Sequence, residues 1–356
     1  TSDGYDVVAA FVGNEVRGFG SVQYVEDVND SIAYQVFLTI FSNSTEGEQL
    51  SFKVWDASTC RELGHIEEEY TFMADAVHGR PDNPVRLTAT SQVSNQLALK
   101  SGWTWFSFNL QASDMGVNAL MSSIAPTTND IIKSQTSFSQ YASGLGWVGT
   151  PTTLNTKSMY QAKLATKDTI EVVGYPLNLS SNKIPVVPGW NWISYQPQAG
   201  YEINHALSNL DPLNGNLIKS QTSYAIFVAG LGWVGSSTFM SPEKGYLYKS
   251  GNPDTLKYPA TAAAAKAIQK KDEFVPLAMN GWTYDPYQFQ YNMPVTGVVQ
   301  KDEAEIGESE DLVGAFVNGE CRGVAKALRV DALNKYMFFM LVYSNVASGE
   351  IVEFHF

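Results

Sequence analysis

Cysteine, histidine and charge are all scarce in this chain. Its 356 residues include 2 Cys and 4 His, and charged side chains make up only 17%. Cys60 and Cys321 lie too far apart in sequence to form a disulfide framework, so cysteine usage leaves the compartment open. None of His65, His78, His205 and His355 stands at metal-ligand spacing from another His or from a Cys, which argues against a zinc site. Long apolar runs are missing as well. Stretches such as Tyr336–Tyr343 fall far below the ~20 residues that a membrane-spanning helix needs. Positive charge is short too: a net charge of −13 argues against nucleic acid or an anionic membrane as partner. The chain opens on Thr1-Ser2-Asp3 without a signal-peptide pattern, as a processed polypeptide or a piece of a longer one would.

Catalytic patterns are equally thin. Lys133 and Lys219 precede Ser134 and Ser220, but the same residues recur in two places, where bracing of a turn is the simpler explanation than a nucleophile. Gly144-Leu-Gly-Trp-Val-Gly149 lacks the Lys that a phosphate loop carries next.

What the chain does have is aromatic and apolar mass, with 8 Trp, 18 Tyr and 44% apolar residues, and it repeats itself. Asp6-Val-Val-Ala-Ala-Phe-Val-Gly-Asn-Glu-Val-Arg17-Gly18 matches Asp311-Leu-Val-Gly-Ala-Phe-Val-Asn-Gly-Glu-Cys-Arg322-Gly323. After a short slip, Phe37–Asn43 matches Phe339–Asn345, and Gly47, Glu48 and Phe52 match Gly349, Glu350 and Phe354. This unit is module A. Between its copies lies a second pair. Gly102-Trp-Thr-Trp-Phe-Ser-Phe108 matches Gly189-Trp-Asn-Trp-Ile-Ser-Tyr195, Ile132–Ser137 matches Ile218–Ser223, and Gly144–Gly149 matches Gly230–Gly235. This is module B, and the order is A, B, B, A.

The boundaries read 1–95 for the first A, 96–180 and 181–257 for the two B copies, 258–273 for an Ala- and Lys-rich linker, and 274–356 for the second A. The first A lacks the leader, 274–310, that precedes the second, and the second lacks the tail, 56–90, that follows the first. One period cut from a longer repetitive polypeptide, or half-modules completed between neighbouring chains, would leave this trace.

The fold class expected is mainly β: tandem β-sandwich, Ig-like A modules flanking two small β-rich α+β repeats. Alternation at Leu50, Phe52 and Val54, and apolar runs at Ala33–Phe41 and Tyr336–Tyr343, predict strands in a sandwich of about seven. Gly13-Asn14 and Asn318-Gly319 predict hairpin turns. In module B, strands are expected at Ile131–Gln135 and Met159–Leu164, and helices at Asn118–Ile124 and Asn204–Leu210.

Two sets of residues are candidate sites. Trp147 and Trp233 could stack on sugar rings, or could fill a small core, which their bulk favours. Asp302, Glu303, Glu305 and Asp311 lie in an acidic run that could hold Ca²⁺, or could be a solvated loop, since no Asp-x-Asp-x-Asp-Gly pattern supports a metal. No other cofactor is indicated.

Taken together, Tyr291-Asn-Met-Pro-Val-Thr-Gly-Val-Val299, the Ala-Phe-Val-x-x-Glu-Cys-Arg-Gly core of Asp311–Gly323, and the Gly-Trp-Asn-Trp-Ile-Ser motif resemble modules of large secreted surface proteins of Bacteroidota, of the type IX secretion class. The resemblance implies an extracellular or cell-surface location and a structural or adhesive role without enzymatic activity. It implies partners that are copies of the chain or neighbouring repeats in a filament, with glycans as a further class. A carbohydrate-binding region of a larger polysaccharide-active protein is the alternative. Asp30-Ser31-Ile32, Asp168-Thr169-Ile170 and Asp254-Thr255-Leu256 resemble the O-glycosylation signal of that phylum, at Ser31, Thr169 and Thr255. Cys60 and Cys321 are disulfide candidates only across modules, because the first A has Val16 in place of Cys321 and the second lacks the tail that carries Cys60.

Overall fold

A computed structural model describes residues 4–26, 32–63, 65–260 and 281–356. Nearly all regular structure in them is antiparallel β, with two single-turn α-helices and two short 3₁₀ turns. By packing the chain forms two units: Thr1–Val93 with Val173–Pro176, and Ser94–Val172 with Leu177–Phe356. The first holds the first A module. The second holds the second A and both B modules, except for Val173–Pro176 of the first B, which group with the first unit. Much of the Ala-rich linker lies outside the described residues, but Tyr258, read as its first residue, is fully buried in the second B core and donates its hydroxyl to the Ser194 carbonyl at 2.7 Å.

The two A copies share a frame. Val7–Val12 lies between Glu15–Ser21 and Glu46–Asp56, as Leu312–Val317 lies between Glu320–Val330 and Glu353–His355. Both hairpins slip register at equivalent residues, Ala10/Phe11 and Ala315/Phe316. The second hairpin turns through Asn318 and Gly319, both at positive φ (50° and 79°), which suits Asn and Gly. The repeated Arg-Gly pair has a steric reason. A Cβ on Gly18 would lie 2.2 Å from the Thr39 carbonyl oxygen, and one on Gly323 2.3 Å from that of Leu341, so only glycine lets the two segments approach this closely.

The described residues of the second A hold seven strands, as expected: five form one path, in the order Tyr291–Gly297, Lys335–Ser344, Glu320–Val330, Leu312–Val317, Glu353–His355, and Gln300–Lys301 pairs with Ala304–Glu305 apart from them. The run Tyr336–Tyr343 is a strand within Lys335–Ser344, but its counterpart is not: only Ile32–Gln35 of the expected Ala33–Phe41 is regular, and 36–43 is irregular. The difference lies in the neighbour. Lys335–Ser344 is flanked by the leader strand Tyr291–Gly297, paired from Tyr291↔Ser344 to Gly297↔Phe338, and the described residues of the first A include no equivalent strand.

Each B module is a five-stranded antiparallel sheet with one helical turn. The first runs in the order Gly102–Ser107, Met159–Leu164, Ile131–Lys133, Phe138–Ala142, Gly146–Gly149, and the second repeats this order from Gly189–Ser194 to Gly232–Gly235. The helices are shorter than the spacing predicts, Val117–Leu120 and Ile203–Ala206. Beyond them the chain continues in i→i+3 turns, with Ser122 N–H donating to the Ala119 carbonyl and Ser208 N–H to that of His205. Apolar spacing therefore survives without a continued α-helix. Val117, Leu120, Ile132, Trp147 and Tyr160 form the first core, and Ile203, Ile218, Trp233, Tyr246 and Tyr258 are prominent in the second.

Candidate functional site

Of the repeated tryptophans, Trp147 and Trp233 are core residues. Trp147 and Trp233 are each 7% exposed, with edges against Tyr141 and Phe227. They offer no face on which a sugar could stack, which corrects the carbohydrate-binding expectation for these two side chains. Their loops are fixed by the residues read as helix starters. Asn118 Oδ1 accepts the Trp147 N–H at 2.8 Å, and Asn204 Oδ1 accepts that of Trp233 at 2.8 Å. The glycines before each Trp, Gly146 and Gly232, have positive φ, and a Cβ on either would lie within 2.5 Å of that Asn oxygen.

The acidic run does not converge. Asp302 and Glu303 form the tight turn between Gln300–Lys301 and Ala304–Glu305, both at positive φ, while Glu305 pairs with Lys335 at 2.7 Å. Asp311 accepts the Glu308 N–H at 2.7 Å. Among the described residues no group of three or more His, Cys, Asp or Glu side chains is placed to hold a metal ion, so the Ca²⁺ ligand set is not assembled. Cys60 and Cys321 are both free thiols. Cys60 is exposed, whereas Cys321 is buried beside Leu312, Phe316 and Val324, and burial raises its thiol pKa.

The Asp-Thr-aliphatic triplets divide cleanly. Asp168 accepts the N–H of its own Thr169 and that of Ala125, each at 2.8 Å. Asp254 does the same for Thr255 at 2.6 Å and Asp211 at 2.8 Å. Ile170 and Leu256 are fully buried, and Thr169 and Thr255 face solvent. The Asp and the aliphatic residue thus serve the fold, and the hydroxyls remain accessible. Ser31 lies outside the described residues.

What sequence reasoning missed are the joints. Gly102–Ser107 and Gly189–Ser194 are edge strands of their sheets, and edges need cover. Each is read by a glutamine from the other module. Gln221 Nε2 donates to the Trp103 carbonyl at 2.8 Å and its Oε1 accepts the Trp105 N–H at 3.0 Å. Gln135 does the same to Trp190 and Trp192, at 2.8 and 3.1 Å. The reciprocity extends to Ser107 N–H with the Glu243 carbonyl and Ser194 N–H with that of Lys157. These contacts recur with the modules exchanged, so this part of the joint is pseudo-twofold, the isologous arrangement of a symmetric dimer built into one chain.

The second B is also fastened to the second A. Lys219 Nζ donates to the Asn292 carbonyl at 2.7 Å, Tyr224 Oη to that of Val295 at 2.7 Å, and Tyr343 Oη to that of Gln221 at 2.8 Å. Tyr224 shares a core with Phe289, Phe339 and Tyr343. Burial pushes the Lys219 ammonium down to about 8. The faces of Trp190 and Trp105, at 5.0 and 5.9 Å, and the Asn292 carbonyl compensate part of its lost hydration. In the first B the positions equivalent to Tyr224 and Val234 are Phe138 and Val148, and both are exposed.

The module A copies repeat a charge cluster as well. Arg17 pairs with Glu48 at 2.7 Å, and Ser42 Oγ donates to the same carboxylate. Arg322 pairs with Glu350 at 3.6 Å, with Ser344 as the matching donor. The cluster ties the strand after the hairpin to the Gly-Glu segment, which accounts for three of the matched positions without chemistry. No family model matches the chain, and no curated protein or solved structure matches it either.

Proposed function

We propose that this chain is a non-enzymatic structural or adhesive repeat segment of an extracellular fibre, stalk or surface adhesin. Its partners are neighbouring repeats or further copies of itself, and module A, when it has both leader and tail, is a β-sandwich. The observation that carries this reading is where the repeated residues are used: Trp147 and Trp233 in cores, Gln135 and Gln221 in a reciprocal joint, and Lys219 in the next. A chain that commits its repeated side chains to cores and joints maintains spacing and stiffness along its length, as solenoid and array proteins do.

A broad glycan panel tests the reading against its alternative. Absence of binding is expected. Saturable binding of the folded chain to an insoluble polysaccharide would overturn it in favour of a carbohydrate-binding region.

A further inference from the structure

The same framework occurs twice in this chain, once with the leader strand in place and once without it among the described residues. In the second A the leader, together with Tyr224 of the second B, buries a continuous apolar surface. Tyr284 and Phe289 lie 5.3 and 6.1 Å from the Tyr343 ring, the Arg322 guanidinium sits 4.9 Å over Phe289, and Tyr291–Gly297 pairs along Lys335–Ser344. The Asn345 side chain clamps the leader backbone, donating to the Gln288 carbonyl at 3.1 Å and accepting the Gln290 N–H at 3.0 Å.

The first A keeps aromatic residues at two receiving positions and leaves them open. Phe41 is 68% exposed where Tyr343 is 1%, and Phe19 is 73% exposed where Val324 is 6%. Phe37, Phe41, Val16, Phe19, Arg17 and Asn43 line a groove of about 660 Å³, and Asn43 is the counterpart of the clamping Asn345. The charge cluster and the Gly18 crossing match those of the second copy, so the frame that receives a leader is already built. One position differs. Ala9 stands where the second copy has Gly314, and a Cβ on Gly314 would come within 2.8 Å of the Trp282 ring, so the first A does not admit an indole seated like Trp282. The matching chemistry therefore begins at Tyr284.

We propose that segment 36–43 of the first A binds an extended segment with the chemistry of residues 284–297, which supplies the missing strand and orders 36–43 as the matching strand. This is strand addition at a sheet edge: backbone pairing along the edge gives affinity, and the aromatic positions over Phe41 and Arg17 give specificity. The inference rests on the repeat-segment reading and names what joins one repeat to the next.

The test uses the full chain and a synthetic peptide of residues 284–297, with a scrambled peptide as control and amide hydrogen exchange as readout. Saturable binding is expected, with new protection at 36–43 and unchanged protection at 335–344, where the chain's own leader already sits. N43A removes only the clamp and is expected to weaken binding about tenfold. F37D/F41D is expected to abolish it. Because these side chains are exposed, unchanged circular dichroism will verify that both variants fold. No protection at 36–43 at near-millimolar peptide overturns the proposal, as does protection that persists in F37D/F41D or with the scrambled peptide. Stiffness of the joints in the second unit is measured without any peptide, so failure here is distinct from failure of the repeat-segment reading.

Discussion

Gln135 and Gln221 make the same two bonds in opposite directions, which allows a stability comparison inside one molecule. Gln221 is buried at 7% exposure, and its partners Trp103 and Trp105 are buried too. Gln135 is exposed, as is Trp190, and Trp192 is half-buried. Gln221→Ala strands a carbonyl and an N–H away from water, each costing about 1–3 kcal/mol, so the pair is expected to cost about 2–6 kcal/mol. Gln135→Ala leaves the equivalent groups open to water, which can replace the lost bonds, and is expected to cost about 1 kcal/mol or less. Hydrogen exchange at the Trp105 and Trp192 amides measures each joint locally, independently of how the two units unfold. Equal costs for the two substitutions would refute the argument that burial decides what the joint contributes.

Further outcomes follow from the cores and the charges. Trp147→Ala and Trp233→Ala should each destabilise their module by about 3–5 kcal/mol, checked by urea unfolding; near-neutral effects would mean that the indoles are not packed. Asp168→Ala should free the Ala125 and Thr169 amides to exchange faster, with a loss of about 1–3 kcal/mol. Lys219 holds its proton less tightly folded, at about 8, than unfolded at 10.5, so the unfolded chain binds more protons between those values and stability should rise with pH there. Melting from about pH 7.5 to about 9.5, below the range where buried tyrosines oppose it, should show the rise, and Lys219→Met should flatten it. A maleimide should label Cys60 rapidly and Cys321 only on unfolding, as thiol mass spectrometry would register.

The repeats made much of the fold legible. Strand-length apolar runs, the hairpin turns and the B strands follow from period-2 spacing and from Gly and Asn at positive φ. Residues 36–41 were misread because strand formation there depends on a neighbour and not on their own identities, which nearly match Phe339–Tyr343 from Phe37 on. The helices were overextended because apolar spacing is also met by one α-turn followed by i→i+3 turns. The joints were hidden for another reason. Gln135 and Gln221 look like ordinary turn residues inside Ser-Gln-Thr-Ser. The flanking serines do brace that turn, Ser134 with Ser137 and Ser220 with Ser223, but the glutamine reaches another module, which no local pattern reveals.

Rigidity across the joints in the second unit tests the structural reading most directly. Spin labels at Thr169→Cys in the first B and Asp331→Cys in the second A, in a Cys60→Ser background, report the distance across both joints by pulsed electron resonance. A single narrow distribution, unchanged by dilution and broadened by Gln221→Ala, is the predicted result. A broad distribution in the unsubstituted joints would mean that the modules swing independently, and the account of this chain as a stiff repeat segment would be wrong.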